Sequence, residues 1–164
     1  MINLRQFLRG AKLVAALAAA LSIAACAKNA VTGPQANAGT QATPGSQQDF
    51  VVNVGDRVFF VTDSSELSPQ ARATLDKQAQ WLNQYGQYTF QIQGSADERG
   101  TREYNLALGA RRAQVVRDYL ISRGVPGNRM STISFGKERP VAVCDAPQCW
   151  SQNRRAVTAL NASS

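Results

Sequence analysis

The run Tyr88-Thr89-Phe90-Gln91-Ile92-Gln93-Gly94-Ser95-Ala96-Asp97-Glu98-Arg99-Gly100-Thr101 and the segment behind it, as far as Ser122, change period once. That change decides the fold. Tyr88, Phe90 and Ile92 alternate with Thr89, Gln91 and Gln93, the two-residue period of a strand with one face buried. From about Thr101 to Ser122 the period is helical, with Leu106, Ala113, Val116 and Leu120 as the expected core stripe. Gly124 closes the helix, with Pro126 beyond. A strand therefore enters a long helix through a charged loop.

Outward from this unit the alternation continues. Upstream, Ser68-Pro69 supplies a capping hydroxyl and a first-turn proline. Ala71, Leu75, Gln78, Leu82 and Tyr85 then share one stripe until Gly86. Val58-Phe59-Phe60-Val61-Thr62 before them is expected as a short strand. Downstream, Met130 to Phe135 is expected as a third strand and Arg154 to Leu160 as a fourth. Two β-α-β crossings and a returning strand imply an α+β sandwich, a mixed sheet with helices packed on one face. Residues 50–164 suffice for one compact domain and are too few for two.

The N-terminus differs in character. Arg5, Arg9 and Lys12 precede an uncharged, mostly apolar run from Leu13 to Ala25. That run falls short of the roughly 20 residues a membrane span needs and suits the core of a secretory signal over residues 1–25. Ile23-Ala24-Ala25-Cys26 ends it. This resembles the lipobox of bacterial lipoproteins, which implies acylation (diacylglyceryl, palmitate) of Cys26; an ordinary signal with Cys26 a plain thiol is the alternative. Ala27 in place of Asp implies, by the same resemblance, an outer-membrane lipoprotein facing the periplasm. Several acyl chains on one cysteine anchor stably where one binds marginally. Residues 26–49, whose only charges are Lys28 and Asp49, are expected to form a disordered tether.

The whole chain carries a net charge of +7 and a pI near 9.8, a balance that raises nucleic acid as a partner. Three of the 18 basic residues lie in the signal, and the others are dispersed against 11 acids, so no nucleic-acid partner is expected. Histidine is absent from the sequence, which removes the usual general base and the commonest metal ligand. No enzyme, metal site or cofactor is expected. Cys144 and Cys149 are expected to form a disulfide around a small hairpin-like loop in an oxidising compartment; two reduced thiols are the alternative.

The charged loop carries the specific signal. Asp97-Glu98-Arg99-Gly100-Thr101 continues into Tyr104-Asn105-Leu106-Ala107-Leu108-Gly109. Further on stand Phe135-Gly136-Lys137-Glu138-Arg139-Pro140 and Asn153-Arg154-Arg155-Ala156-Val157, with Asp63 behind the first strand. Together, over residues 58–160, these motifs resemble the OmpA-like peptidoglycan-binding domains, and among them the peptidoglycan-associated lipoproteins. Ser95 departs from the pattern, which has histidine there. The resemblance implies a β-α-β-α-β sandwich that binds peptidoglycan non-covalently through meso-diaminopimelate. It also implies membership of the Tol-Pal system, with TolB and other Tol components as partners in envelope integrity and cell division. A generic OmpA-like wall-binding lipoprotein without a Tol partner is the alternative. The implied ligand pair is Asp97 and Arg112, supported by Asp63, Arg99, Gly100, Thr101, Asn105 and Leu108, and by Arg154 or its neighbour Arg155.

Helical spacing supports a site at these positions. At about 100° per residue, Thr101, Asn105, Leu108 and Arg112 lie within about a 60° stripe. It is expected to face away from the core stripe and toward Asp97. Asp97 suits an ammonium and the Arg112 fork a carboxylate, groups that meso-diaminopimelate carries on one carbon. The alternative is a structural salt bridge between Asp97 and Arg112. Trp81 and Trp150 are expected to serve packing rather than sugar stacking.

Overall fold

The computed structural model describes residues 42–161; the expected signal segment, Cys26 and most of the tether lie outside the described residues. Four strands, β1 Arg57–Phe59, β2 Phe90–Ser95, β3 Met130–Gly136 and β4 Arg155–Leu160, form one sheet in the order β1-β4-β2-β3. β4 is antiparallel to β1 and β2, while β2 and β3 are parallel. The helices are α1 Gln47–Asp49, α2 Pro69–Gln84, α3 Arg102–Ser122 and α4 Pro147–Asn153. Helix α2 makes the crossing from β1 to β2, and α3 the crossing from β2 to β3. The expected α+β sandwich with a mixed sheet is the observed one.

The helix boundaries follow their local chemistry. Ser68 caps α2 by accepting the Ala71 N–H at 3.1 Å, with Pro69 at its first turn. At the far end of α3, Gly124 has φ +86°; the Val125 N–H returns to the Leu120 carbonyl at 3.1 Å. Between helices and sheet, Leu75, Leu82, Phe90, Ile92, Val116 and Leu120 are at most 1% exposed. Each such burial contributes on the order of 1.5–3 kcal/mol. Gln78, also fully buried, donates to the Gly55 carbonyl at 2.6 Å and accepts from Thr158 at 2.8 Å, so its amide is satisfied within the core.

Three expectations are corrected. First, β1 ends at Phe59 rather than Thr62. Beyond it the chain leaves the sheet, because the Val61 and Ser64 carbonyls accept from the Arg112 guanidinium and Asp63 turns with φ +56°. Second, the α3 stripe is not split into a core side and a site side. Asn105, Leu108 and Arg112 are buried on the same face as Ala113, Val116 and Leu120, and Leu106 is only half-buried. Third, residues 42–49 belong to the fold rather than to a loose tether. Ala42 is buried, Tyr88 donates its hydroxyl to the Gly45 carbonyl at 2.7 Å, and Ser46 caps α1. A π-helical turn, Phe50–Val54, then sets the Phe50 ring 4.9 Å from that of Trp81. Polar composition hid this docking, since it depends on single bonds to distant aromatic residues and not on a repeating apolar pattern.

Candidate functional site

The site begins where β2 and α3 come closest. A Cβ on Gly94 would run into the Gly109 carbonyl, so only glycine allows this approach. The loop between them is short, and Gly100 turns it with φ +88°. Thr101 then caps α3, its Oγ accepting the Tyr104 N–H at 3.2 Å. From outside, Lys137 donates Nζ–H to the carbonyls of Glu98 at 3.2 Å and Gly100 at 2.7 Å. Trp150, on α4, donates its indole N–H to Glu98 Oε1. The loop is thereby fixed from both sides.

A cavity of about 260 Å³ opens between this loop, the first turns of α3 and the chain leaving β1. Asp63, Asp97, Arg99, Gly100, Asn105, Leu108, Arg112 and Arg154 all line it. Thr101 does not; its hydroxyl is committed to the helix cap. Arg154 faces the cavity, whereas Arg155 turns away and donates to the carbonyls of Asn153 and Arg139. Thr62, Ala96 and Tyr104 complete the lining and escaped the sequence reading. Of these Tyr104 has chemistry: its hydroxyl donates to Asp63. Its position beside Asn105, one turn before Leu108, was the signal that could have revealed it.

Asp97 is 7% exposed. Burial alone would raise its pKa, but hydrogen bonds from Arg99 and Arg154 outweigh this and hold the carboxyl below its ordinary 3.8. The carboxylate pairs with Arg99 at 2.7 Å and Arg154 at 3.2 Å, not with Arg112. A simple Asp97–Arg112 salt bridge is therefore not what the fold builds. Arg112 is fully buried and donates to three carbonyls, those of Ser64 at 2.8 Å, Ser95 at 2.9 Å and Val61 at 3.1 Å. Burial, then the nearby Arg154, lowers it to about 10, with Asp97 and Asp63 opposing; it stays charged at neutral pH. Asn105 donates to the Arg99 carbonyl at 2.8 Å and steadies the loop from the helix side. The result is a cavity bordered by a buried carboxylate and a separate buried guanidinium, chemistry suited to a small zwitterion.

Elsewhere, Cys144 and Cys149 form a disulfide, with Cα atoms 5.7 Å apart. It ties a loop to the first turn of α4 instead of closing a hairpin. Trp81 packs in the aromatic cluster with Phe50, Tyr85 and Tyr88. Trp150 stands beside the site loop, with the Arg99 guanidinium 4.2 Å above its ring. Among the described residues, no group of three or more His, Cys, Asp or Glu is placed to hold a metal ion. Nor is any described helix long and apolar enough to cross a membrane.

Known proteins are similar to this chain in sequence and fold. The OmpA family matches residues 59–154. The peptidoglycan-associated lipoprotein of Rhizobium meliloti (strain 1021) is 65% identical over 150 residues, which cover 88% of this chain and 85% of that protein. That of Brucella melitensis biotype 1 is 72% identical over 120 residues, 73% of this chain and 71% of its own length. Among solved structures, the peptidoglycan-associated lipoprotein from Burkholderia pseudomallei superimposes with a TM-score of 0.63 at 44% identity, covering 65% of this chain and 90% of that one. The C-terminal domain of Helicobacter pylori MotB, at 22% identity, shares the fold with a TM-score of 0.61, over 65% of this chain and 84% of that one. The chain belongs to the OmpA family, among its peptidoglycan-associated lipoproteins.

Proposed function

We propose that this protein is an outer-membrane lipoprotein, anchored through acylated Cys26, whose domain binds peptidoglycan non-covalently and so ties the outer membrane to the wall. The ligand is the meso-diaminopimelate of the peptide stem. The observation that carries the reading is the cavity bordered by both Asp97 and Arg112. Asp97 receives the ammonium of the ligand. Arg112 has one N–H left on each terminal nitrogen after its three carbonyl bonds, and these two fork onto the adjacent carboxylate. Asp63, Gly100, Asn105, Leu108 and Arg154 frame the ligand, and Thr101 acts by capping the helix that presents it. TolB and the other Tol components are proposed as protein partners; the high identity to peptidoglycan-associated lipoproteins supports that assignment.

Since Arg112 also holds three backbone carbonyls on two segments of chain, altering the ligand is a cleaner test than altering the protein. A stem peptide ending in lysine lacks the distal carboxylate of diaminopimelate. It should bind about 30- to 100-fold more weakly, because the Arg112 N–H groups are left desolvated and unpaired, at roughly 2–3 kcal/mol. Calorimetry with the two stems measures this. Equal affinity for both would remove Arg112 from the ligand contact.

A further inference from the structure

Asp97 is saturated with donors from its own chain. Its Oδ1 accepts the Arg99 backbone N–H at 3.2 Å and Arg99 Nε at 3.1 Å. Its Oδ2 accepts Arg99 Nη2 at 2.7 Å and Arg154 Nη1 at 3.2 Å. A carboxylate offers about four lone-pair directions, and four donors already point at this one. An ammonium reaching Asp97 must therefore displace a donor.

The two arginines are not equally free to leave. Arg154 has a side chain only 13% exposed, and it also donates Nε–H to the Phe60 carbonyl at 3.0 Å. Moving it would leave that carbonyl unpaired. The Arg99 side chain is 42% exposed. Apart from Asp97 it has one long bond, 3.4 Å to Thr62 Oγ1, and the face of Trp150. Its guanidinium can exchange the carboxylate for water while staying over the indole. That ring is a fixed surface, since Trp150 is bonded to Glu98 and its helix is tied by the Cys144–Cys149 bridge.

We propose that Arg99 is an internal stand-in for the ammonium of the ligand, holding Asp97 in the free domain and giving it up when a ligand cation takes its place. The proposal rests on the reading above, in which Asp97 receives that ammonium. Arg99 thus competes with the ligand at this carboxylate. It also sets a specificity: only a group that brings its own positive charge replaces the guanidinium without leaving Asp97 with Arg154 as its one cationic partner, so an N-acetylated amine is disfavoured. The competition lowers apparent affinity by the fraction of molecules in which Asp97 is released. For a pair this accessible to solvent the effect is about two- to fivefold.

The test uses the full chain carrying Cys26→Ser, with and without Arg99→Ala, and a stem tripeptide ending in meso-diaminopimelate. Calorimetry should show Arg99→Ala binding about two- to fivefold tighter than its parent. The indole N–H resonance of Trp150 should move when tripeptide is added to the parent, as the guanidinium shifts over the ring, and should move far less in Arg99→Ala. Equal or weaker binding by Arg99→Ala, or a Trp150 resonance that is still in the parent at saturation, overturns the proposal while leaving the wall-binding reading intact. A parent that fails to bind the tripeptide removes both.

Discussion

Arg112 and Arg129 grip the backbone in the same way at two different places in the domain. Arg129 donates to the carbonyls of Leu82 at 2.8 Å, Tyr88 at 2.9 Å and Tyr85 at 3.1 Å. Nearby, in the aromatic cluster, Asp49 accepts from Trp81 Nε1 and from the Gly45 N–H, each at 2.8 Å, and from Asn53 at 2.8 Å. All of those donors are neutral, and the Trp81 bond closes the 42–54 segment onto the domain. In the candidate site the carboxylate is Asp97, its side-chain donors are guanidinium groups, and a cavity adjoins it. An arginine bound to three carbonyls is therefore a structural device in its own right. What sets the Asp97 region apart as a candidate site is a carboxylate whose side-chain partners are cations, one of them 42% exposed.

Substituting the two arginines is the severest trial of this comparison. Arg112→Ala leaves three carbonyls without their donor in a fully buried place, at a cost of about 3–5 kcal/mol. Arg129→Ala has the same geometry but a less buried side chain, and should cost about 1–2 kcal/mol. Urea unfolding followed by circular dichroism gives both values. Equal losses would mean that burial does not distinguish the two grips, and a neutral Arg112→Ala would mean that its carbonyl bonds are dispensable.

The next effect in size concerns the disulfide. Replacing Cys144 and Cys149 by Ser should destabilise the domain by about 2 kcal/mol or less, as expected for so short a loop. Wall binding should be largely kept, because Lys137 still holds the site loop. Alkylation without prior reduction, read by mass spectrometry, should leave both thiols unmodified in the parent.

The smallest effect is in the pH dependence. Asp49 is held below its ordinary 3.8 chiefly by the Trp81 bond, and Asp97 is held below it by its arginines against the pull of burial. A carboxyl whose pKa is depressed on folding adds stability that is complete above the unfolded value and is lost as pH falls through the folded one. Asp97→Asn and Asp49→Asn should each flatten the loss of stability below about pH 4. Only Asp97→Asn should also abolish the dependence of ligand binding on pH in that range. A matching change in binding from Asp49→Asn would break the distinction between latch and site.

The sequence by itself determined the order of the four strands and the two long helices, since apolar period, Ser68-Pro69, Thr101 and Gly124 are local signals and act within a few residues; the short helices Gln47–Asp49 and Pro147–Asn153 were not expected. It also carried the site motif: eight of the nine implied residues line one cavity, and the ninth, Thr101, caps its helix. Tertiary structure alone decided the partners. Nothing local in the sequence says that Arg112 reaches the carbonyls of Val61, Ser64 and Ser95, because the chain that supplies two of them must first leave the sheet after Phe59. Nor does composition show that residues 42–49 dock, since their hold depends on Trp81 and Tyr88, more than 30 residues away. Which of Arg154 and Arg155 turns to the cavity was settled only by the register of β4 against β1. The pairing of Asp97 with Arg99 and Arg154 likewise follows from where the strands end. Local periodicity fixes which residues share a face, but the partner of a buried charge is set by whichever segments the completed fold brings within hydrogen-bonding distance.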